Sequence, residues 1–192
     1  AIEVARGLPT ALTIASQPLI YAEDLAKMFS KNNFRVYTSS DMTGVEVGGA
    51  TKNVLAIGAG ISDGLGFGSN TRMALLTRGL REMTRLGKAL GADPNTFMGL
   101  SGIGDLALTC TDDQSRNRKL GLLLASGYNV KEAQNEISQA IEGICASKAI
   151  HKICIENSIN MPICEQIYKI IYENMPPKEA VYSLMNRNLK SE

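Results

Sequence analysis

Residues 44–70 read GVEVGGATKNVLAIGAGISDGLGFGSN, and the fold turns on how such a stretch can be buried. Glycines and alanines share it with Val, Leu and Ile, which predicts a buried helix whose small positions let another backbone or a ligand come close. Lys52 stands in the middle. At about 3.6 residues per turn, Gly48, Gly49, Ala56, Ala59 and Asp63 lie near the lysine's own face, so the amine occupies a cleared space. A lysine rarely goes fully inside without a partner or a task. The competing reading is a side chain that runs along the helix edge into water.

Before this stretch, residues 11–16 (ALTIAS) are rich in strand formers. Residues 18–30 carry Leu19, Ile20, Leu25, Ala26 and Phe29 at helical spacing, and residues 34–38 (FRVYT) alternate as a strand does. They predict one β-α-β unit. Two strands do not make a stable open sheet alone, so the unit is expected to be the last piece of a nucleotide-binding sheet. The G-x-G-x-x-G turn of such a sheet, with its acidic residue about 20 positions on, is absent near the start. The chain opens AIEVARGLPT without an initiator Met, and the expectation is a piece of a longer protein.

From Asp41 onward the pattern is helical. Residues 71–91 place Met73, Leu76, Leu80, Met83, Leu86 and Leu90 on one stripe and end at Gly91, with Pro94 beyond. Arg72, Arg78, Arg81 and Arg85 are expected to form a solvated or interhelical charged face. Short helical turns are expected over 93–99 and 102–110. Longer helices follow from Arg116 to Gly127 and over 130–141, 144–157, 163–173 and 177–189. Roughly eight helices behind a stub of sheet make the fold mainly α, divided as residues 1–40 and residues 41–192.

Composition removes several function classes. The 192 residues are 44% hydrophobic and 20% charged, with 20 Lys and Arg against 19 Asp and Glu, so no broad basic field exists for nucleic acid or an anionic membrane. No uninterrupted apolar run reaches the length of a membrane span, and nothing resembles a signal peptide. Cys110, Cys145, Cys154 and Cys164 form no C-x-x-C pair and suit reduced thiols in a cytoplasm. His151, Cys154 and Cys164 are expected to pack rather than hold a metal.

Three places carry chemistry. Lys52, if its pKa falls from about 10.4, can exchange a proton near neutral pH. Asp105 and Thr109, four apart, share a face of a short helix; the carboxylate either meets Lys52 or a substrate hydroxyl, or is only a favourable charge at a helix start. In QSRNR (114–118), Ser115, Arg116 and Asn117 gather a hydroxyl, a guanidinium fork and exposed N–H groups where a helix begins, which suits a phosphate. Ser115 as a plain cap explains part of this.

The segments GGATKNV, GIGDLALTCT and QSRNR, in this order, closely resemble the bacterial NAD(P)-dependent glycerol-3-phosphate dehydrogenases, and the similarity covers essentially the whole chain. The resemblance implies an all-helical 6-phosphogluconate-dehydrogenase-like domain after a Rossmann remnant. It implies NAD or NADP as cofactor, and sn-glycerol 3-phosphate and dihydroxyacetone phosphate as substrates in cytoplasmic glycerophospholipid synthesis. Lys52 would be the proton acceptor. Asn53, Asp105, Thr109, Ser115, Arg116 and Asn117 would contact substrate, and Arg116, Ala140 and Glu142 the dinucleotide. Ala140 stands where a larger aliphatic residue is common, which a backbone contact survives.

Two other readings fit parts of the sequence. In the related β-hydroxyacid dehydrogenases an Asn follows the Lys by one turn; here position 56 is Ala and the adjacent residue is Asn53. A non-catalytic helical dimerisation or interaction domain would explain the amphipathic helices but not the gathering of Lys52, Asp105 and Ser115–Asn117. The 192 residues alone are expected to turn over no substrate. Open strand edges at 11–16 or 34–38 are expected to pair into a homodimer or aggregate.

Overall fold

The computed structural model describes residues 2–186. A short α1 (Ile2–Ala5) leads into β1 (Thr10–Ala15), α2 (Leu19–Phe29) and β2 (Phe34–Ser39). The strands are parallel, in register from Thr10 opposite Phe34 to Ala15 opposite Ser39. This is the β-α-β unit, and the first helix was not foreseen. Only Ala22 of α2 is buried, because this helix has just two strands to cover it.

The helical body begins with α3 (Met42–Gly64) and α4 (Ser69–Ala89), then α5 (Asp105–Thr111), α6 (Arg116–Ala125) and α7 (Val130–Ile137), and closes with α8 (Glu142–Glu156), α9 (Pro162–Tyr172) and α10 (Pro177–Met185). A 3-10 turn at Pro94–Met98 and a π turn at Leu100–Gly104 join α4 to α5. The fold is mainly α with a two-stranded parallel sheet.

Helix α3 is the axle. It packs against α4, α5, α6, α8 and α9, and Val54, Leu55, Ala56, Ile57 and Ala59 are fully buried along it. Its small residues let α6 approach to backbone contact. A Cβ on Gly60 would lie 2.0 Å from the Arg118 carbonyl oxygen, and one on Gly121 would lie 2.1 Å from that of Ile57, so neither position tolerates a side chain.

Two carboxylates fasten this body. Asp41, at the N-cap of α3, accepts the Gly44 N–H at 2.9 Å, the Thr96 hydroxyl at 2.6 Å and the Asp93 N–H at 3.0 Å. One side chain thereby ties the end of the sheet to the turn after α4. Glu82, buried within α4, accepts the N–H groups of Ile163 at 2.7 Å and Cys164 at 3.1 Å. It caps α9 from another helix.

Several boundaries differ from expectation. The expected single helix over 44–70 stops at Gly64, and Gly66 has φ +81°. The glycines that open the helix surface also end it. Helix α7 stops at Ile137 rather than 141, because Ser138 takes a left-handed φ of 55°. Along α4, Leu76, Met83 and Leu86 are buried, but Met73 and Leu90 at the stripe's ends are exposed. The expected end of the last helix at 189 lies outside the described residues, within which α10 ends at Met185.

Candidate active site

Lys52 projects from α3 to meet the first residue of α5. Its Nζ donates to Asp105 Oδ2 at 2.5 Å, with the two side chains 22% and 37% exposed. Of the two readings open for the amine, this partly exposed position lies nearer the helix edge. The lysine reaches the rim of the apolar surface, where a carboxylate compensates its charge. Thr109 completes the group, its hydroxyl donating to the Asp105 carbonyl at 2.6 Å and lying 3.4 Å from Oδ1.

Gly48 makes room for this assembly. A Cβ there would lie 2.2 Å from the Ser101 carbonyl oxygen, so the π turn that delivers α5 rests directly on the lysine's helix. Sequence reasoning placed Gly48 beside Lys52 without finding what it accommodates.

A second row of contacts runs behind the first. Asn53, next to Lys52, donates through Nδ2 to the Gly49 carbonyl at 3.1 Å, and its Oδ1 accepts from Asn117 Nδ2 at 3.0 Å. Asn117 is buried, and its Oδ1 accepts the Gly143 N–H at 2.9 Å. Arg116, next to Asn117, donates to Glu142 Oε1 at 2.7 Å, both side chains being half exposed. Residues far apart in sequence, assigned to the dinucleotide by resemblance alone, thus touch.

The remaining expected residues divide. Ser115 is the N-cap of α6 and accepts the Arg118 N–H at 3.2 Å, the plain role that sequence left open. Ala140 is exposed in the link before α8. Beside them Arg118 is a structural tie: it donates to Asp63 at 2.8 Å and Asp113 at 2.5 Å, and Asp63 also pairs with Arg72 at 2.8 Å. The contact of the Gly143 N–H with Asn117 and the cap made by Asp41 were not foreseen.

Elsewhere, His151 stacks on Tyr168 with ring centroids 3.6 Å apart. Burial pushes the Cys110 thiol up to about 12 and raises the thiol of Cys164 well above its ordinary value, so both behave as small core groups. No group of His, Cys, Asp and Glu among the described residues could hold a metal ion.

The model of the NAD-dependent glycerol-3-phosphate dehydrogenase C-terminus matches residues 41–182. The chain belongs to this family. It is 54% identical to a glycerol-3-phosphate dehydrogenase [NAD(P)+] of Aeromonas hydrophila, covering 99% of this chain and 57% of that protein. A Yersinia pestis protein of the same name is 53% identical over 99% of this chain and 56% of its own length. The crystal structure of glycerol-3-phosphate dehydrogenase from Coxiella burnetii superposes with a TM-score of 0.93 at 49% identity, over 96% of this chain and 57% of that one. The chain therefore spans just over half the length of these relatives.

Proposed function

We propose that the protein interconverts sn-glycerol 3-phosphate and dihydroxyacetone phosphate by hydride transfer with NAD(H) or NADP(H), in the cytoplasmic supply of glycerophospholipid precursor. In this reading residues 41–192 form the substrate-binding and catalytic domain, and residues 1–40 contribute to the dinucleotide-binding domain. The observation that carries it is the contact between Lys52 and Asp105 beside the two linked asparagines.

The nicotinamide cofactor, when bound, accepts or returns the hydride at C2 of the substrate. The residues fit such a group. The Arg116 guanidinium is held on one side by a single Glu142 oxygen and keeps other N–H donors for an anionic diphosphate. Arg116, Glu142 and the backbone at Ala140 are the groups that would hold it.

The chain's own residues supply the acid–base chemistry. As the alcohol is oxidised its hydroxyl proton must leave, and Lys52 Nζ, in its neutral amine form, takes it and becomes the ammonium; in the reverse direction the ammonium returns a proton to the ketone oxygen. Asp105 aims the amine and balances its charge, and Thr109 steadies Asp105. Asn53, Asn117, Arg116 and the start of α6 at Ser115 hold the oxygen-rich end of the substrate by N–H donation. Position 56, one turn after the lysine, is a fully buried Ala. No carboxamide stands there, which favours glycerol 3-phosphate over β-hydroxyacids.

The test is NADH and NADPH oxidation with dihydroxyacetone phosphate by the protein that carries this chain, in wild type and Lys52→Met. Turnover that depends on Lys52 is expected. Full activity in the Lys52→Met variant would overturn the role given to the lysine.

A further inference from the structure

Three neighbouring pairs of residues meet in the site, and each has the same division of labour. Lys52, Arg116 and Glu142 are the charged, at least partly exposed members. Asn53, Asn117 and Gly143, the residues that follow each of them, join one another on the inner side. The charged groups are thus aimed by an inner strut whose parts come from α3, α6 and the first turn of α8.

The strut has a direction. It starts at the Gly143 N–H, which can only donate, and ends at the Gly49 carbonyl, which can only accept. Between them, Asn117 must turn its oxygen toward Gly143 and therefore its NH2 toward Asn53. Asn53 must then turn its oxygen toward Asn117 and its NH2 toward Gly49. A carboxamide can otherwise flip end for end at little cost. Here both flips are set by backbone groups whose chemistry cannot change.

We propose that Gly143 is a positioning residue for substrate binding: its N–H fixes the polarity of the chain Gly143–Asn117–Asn53–Gly49, so that both carboxamides keep their second N–H for an oxygen ligand. Each NH2 carries two hydrogens, and the chain uses one from each. The remaining pair are donors only, matched to phosphate and hydroxyl oxygens and mismatched to a ligand that itself donates. Glycine is required at the head of the chain for space as well. A Cβ there would lie 2.6 Å from Asn117 Oδ1, 2.8 Å from the Asn53 carbonyl oxygen and 2.8 Å from Ile57 Cδ1. It would push the amide it serves out of place.

This deepens the dehydrogenase reading and rests on it, so the experiment separates the two. Steady-state kinetics with dihydroxyacetone phosphate and NADH are measured on the protein that carries this chain, in wild type, Gly143→Ala, Asn117→Ala and the double variant. Gly143→Ala is expected to raise KM for dihydroxyacetone phosphate roughly tenfold or more, and to change kcat by less than about threefold, since one aimed hydrogen bond is lost while Lys52 stays in place. In the Asn117→Ala background the same change is expected to raise KM by less than about threefold, because Gly143 acts through Asn117.

Additive effects, or an unchanged KM in folded Gly143→Ala protein, would overturn the assignment. Should Gly143→Ala not fold by circular dichroism, the Asn53→Ala and Asn117→Ala pair decides. Strong coupling in KM supports a chain of fixed direction, and independent effects refute it. A wild type that reduces no dihydroxyacetone phosphate would instead refute the proposed activity.

Discussion

At the residue scale, charge placement decides what each side chain can do. Lys52 is paired with Asp105, so removing the carboxylate's charge alone tests the pair without deleting volume. Asp105→Asn in the protein that carries this chain is expected to lower kcat by roughly 10²-fold, and Lys52→Met by roughly 10³-fold, as single acid–base groups do. Steady-state turnover with a saturating substrate reads both. Asp41 gives a pH-dependent counterpart. Burial alone would raise its carboxyl, but the Thr96 hydroxyl and the N–H groups of Gly44 and Asp93 outweigh it and hold the pKa below its ordinary 3.8. A depressed acid contributes stability that is present above its unfolded pKa and is lost as pH falls through the folded one. Asp41→Asn is therefore expected to lower Tm at pH 7 and to flatten the loss of stability below about pH 4. Thermal melts of both proteins from neutral to acid pH measure it, and parallel curves would contradict the account.

At the element scale, helices are joined by backbone contact and by borrowed caps. Glu82 lends its carboxylate to the start of α9, 81 residues away. Its pKa is raised chiefly by burial, although the N–H groups of Ile163 and Cys164 and the nearby Arg85 pull the other way. A raised acid contributes stability that is complete below its unfolded pKa and declines as pH rises through the folded value. The Tm advantage of wild type over Glu82→Gln is thus expected to shrink as pH rises above the ordinary glutamate range, and a constant difference would count against it. Gly60→Ala or Gly121→Ala is expected to cost about 3 kcal/mol in denaturant melts, because the new methyl meets a carbonyl oxygen on the facing helix. Such close approach was legible in the sequence, since glycines at helical spacing beside Val54, Leu55 and Ile57 leave few other uses for that surface. The partners were not. Nothing local to Glu82 points to Ile163, and nothing local to Asn117 points to Gly143, because each bond pairs a side chain with a backbone N–H far along the chain. Element ends failed for a related reason. Ser138 adopts a left-handed conformation that its residue type does not advertise, and it stops α7 short of an apolar pattern that runs on to Ile141.

At the scale of the whole molecule, the two ends of the fold are unequally covered. Around α3 the body encloses a continuous core, whereas the β-α-β unit offers only two strands to α2. Tyr21 is 61% exposed and Met28 69% exposed, with Ile20, Phe29 and Tyr37 also open. An apolar helix face beside unpaired strand edges is a surface that seeks cover. Among the described residues the sheet holds two strands, fewer than a dinucleotide-binding sheet uses. The 192-residue chain by itself is expected to self-associate and to oxidise no NADH with dihydroxyacetone phosphate. Replacing Met28 and Tyr21 with Lys should shift it toward monomer without changing its helical content, since neither side chain belongs to the buried core. Sedimentation velocity on both forms, with circular dichroism as the control for folding, measures the shift. An unchanged association state in the Lys variant would place the contact elsewhere. Measurable turnover by the chain alone would mean that the helical body needs no larger sheet to hold its cofactor.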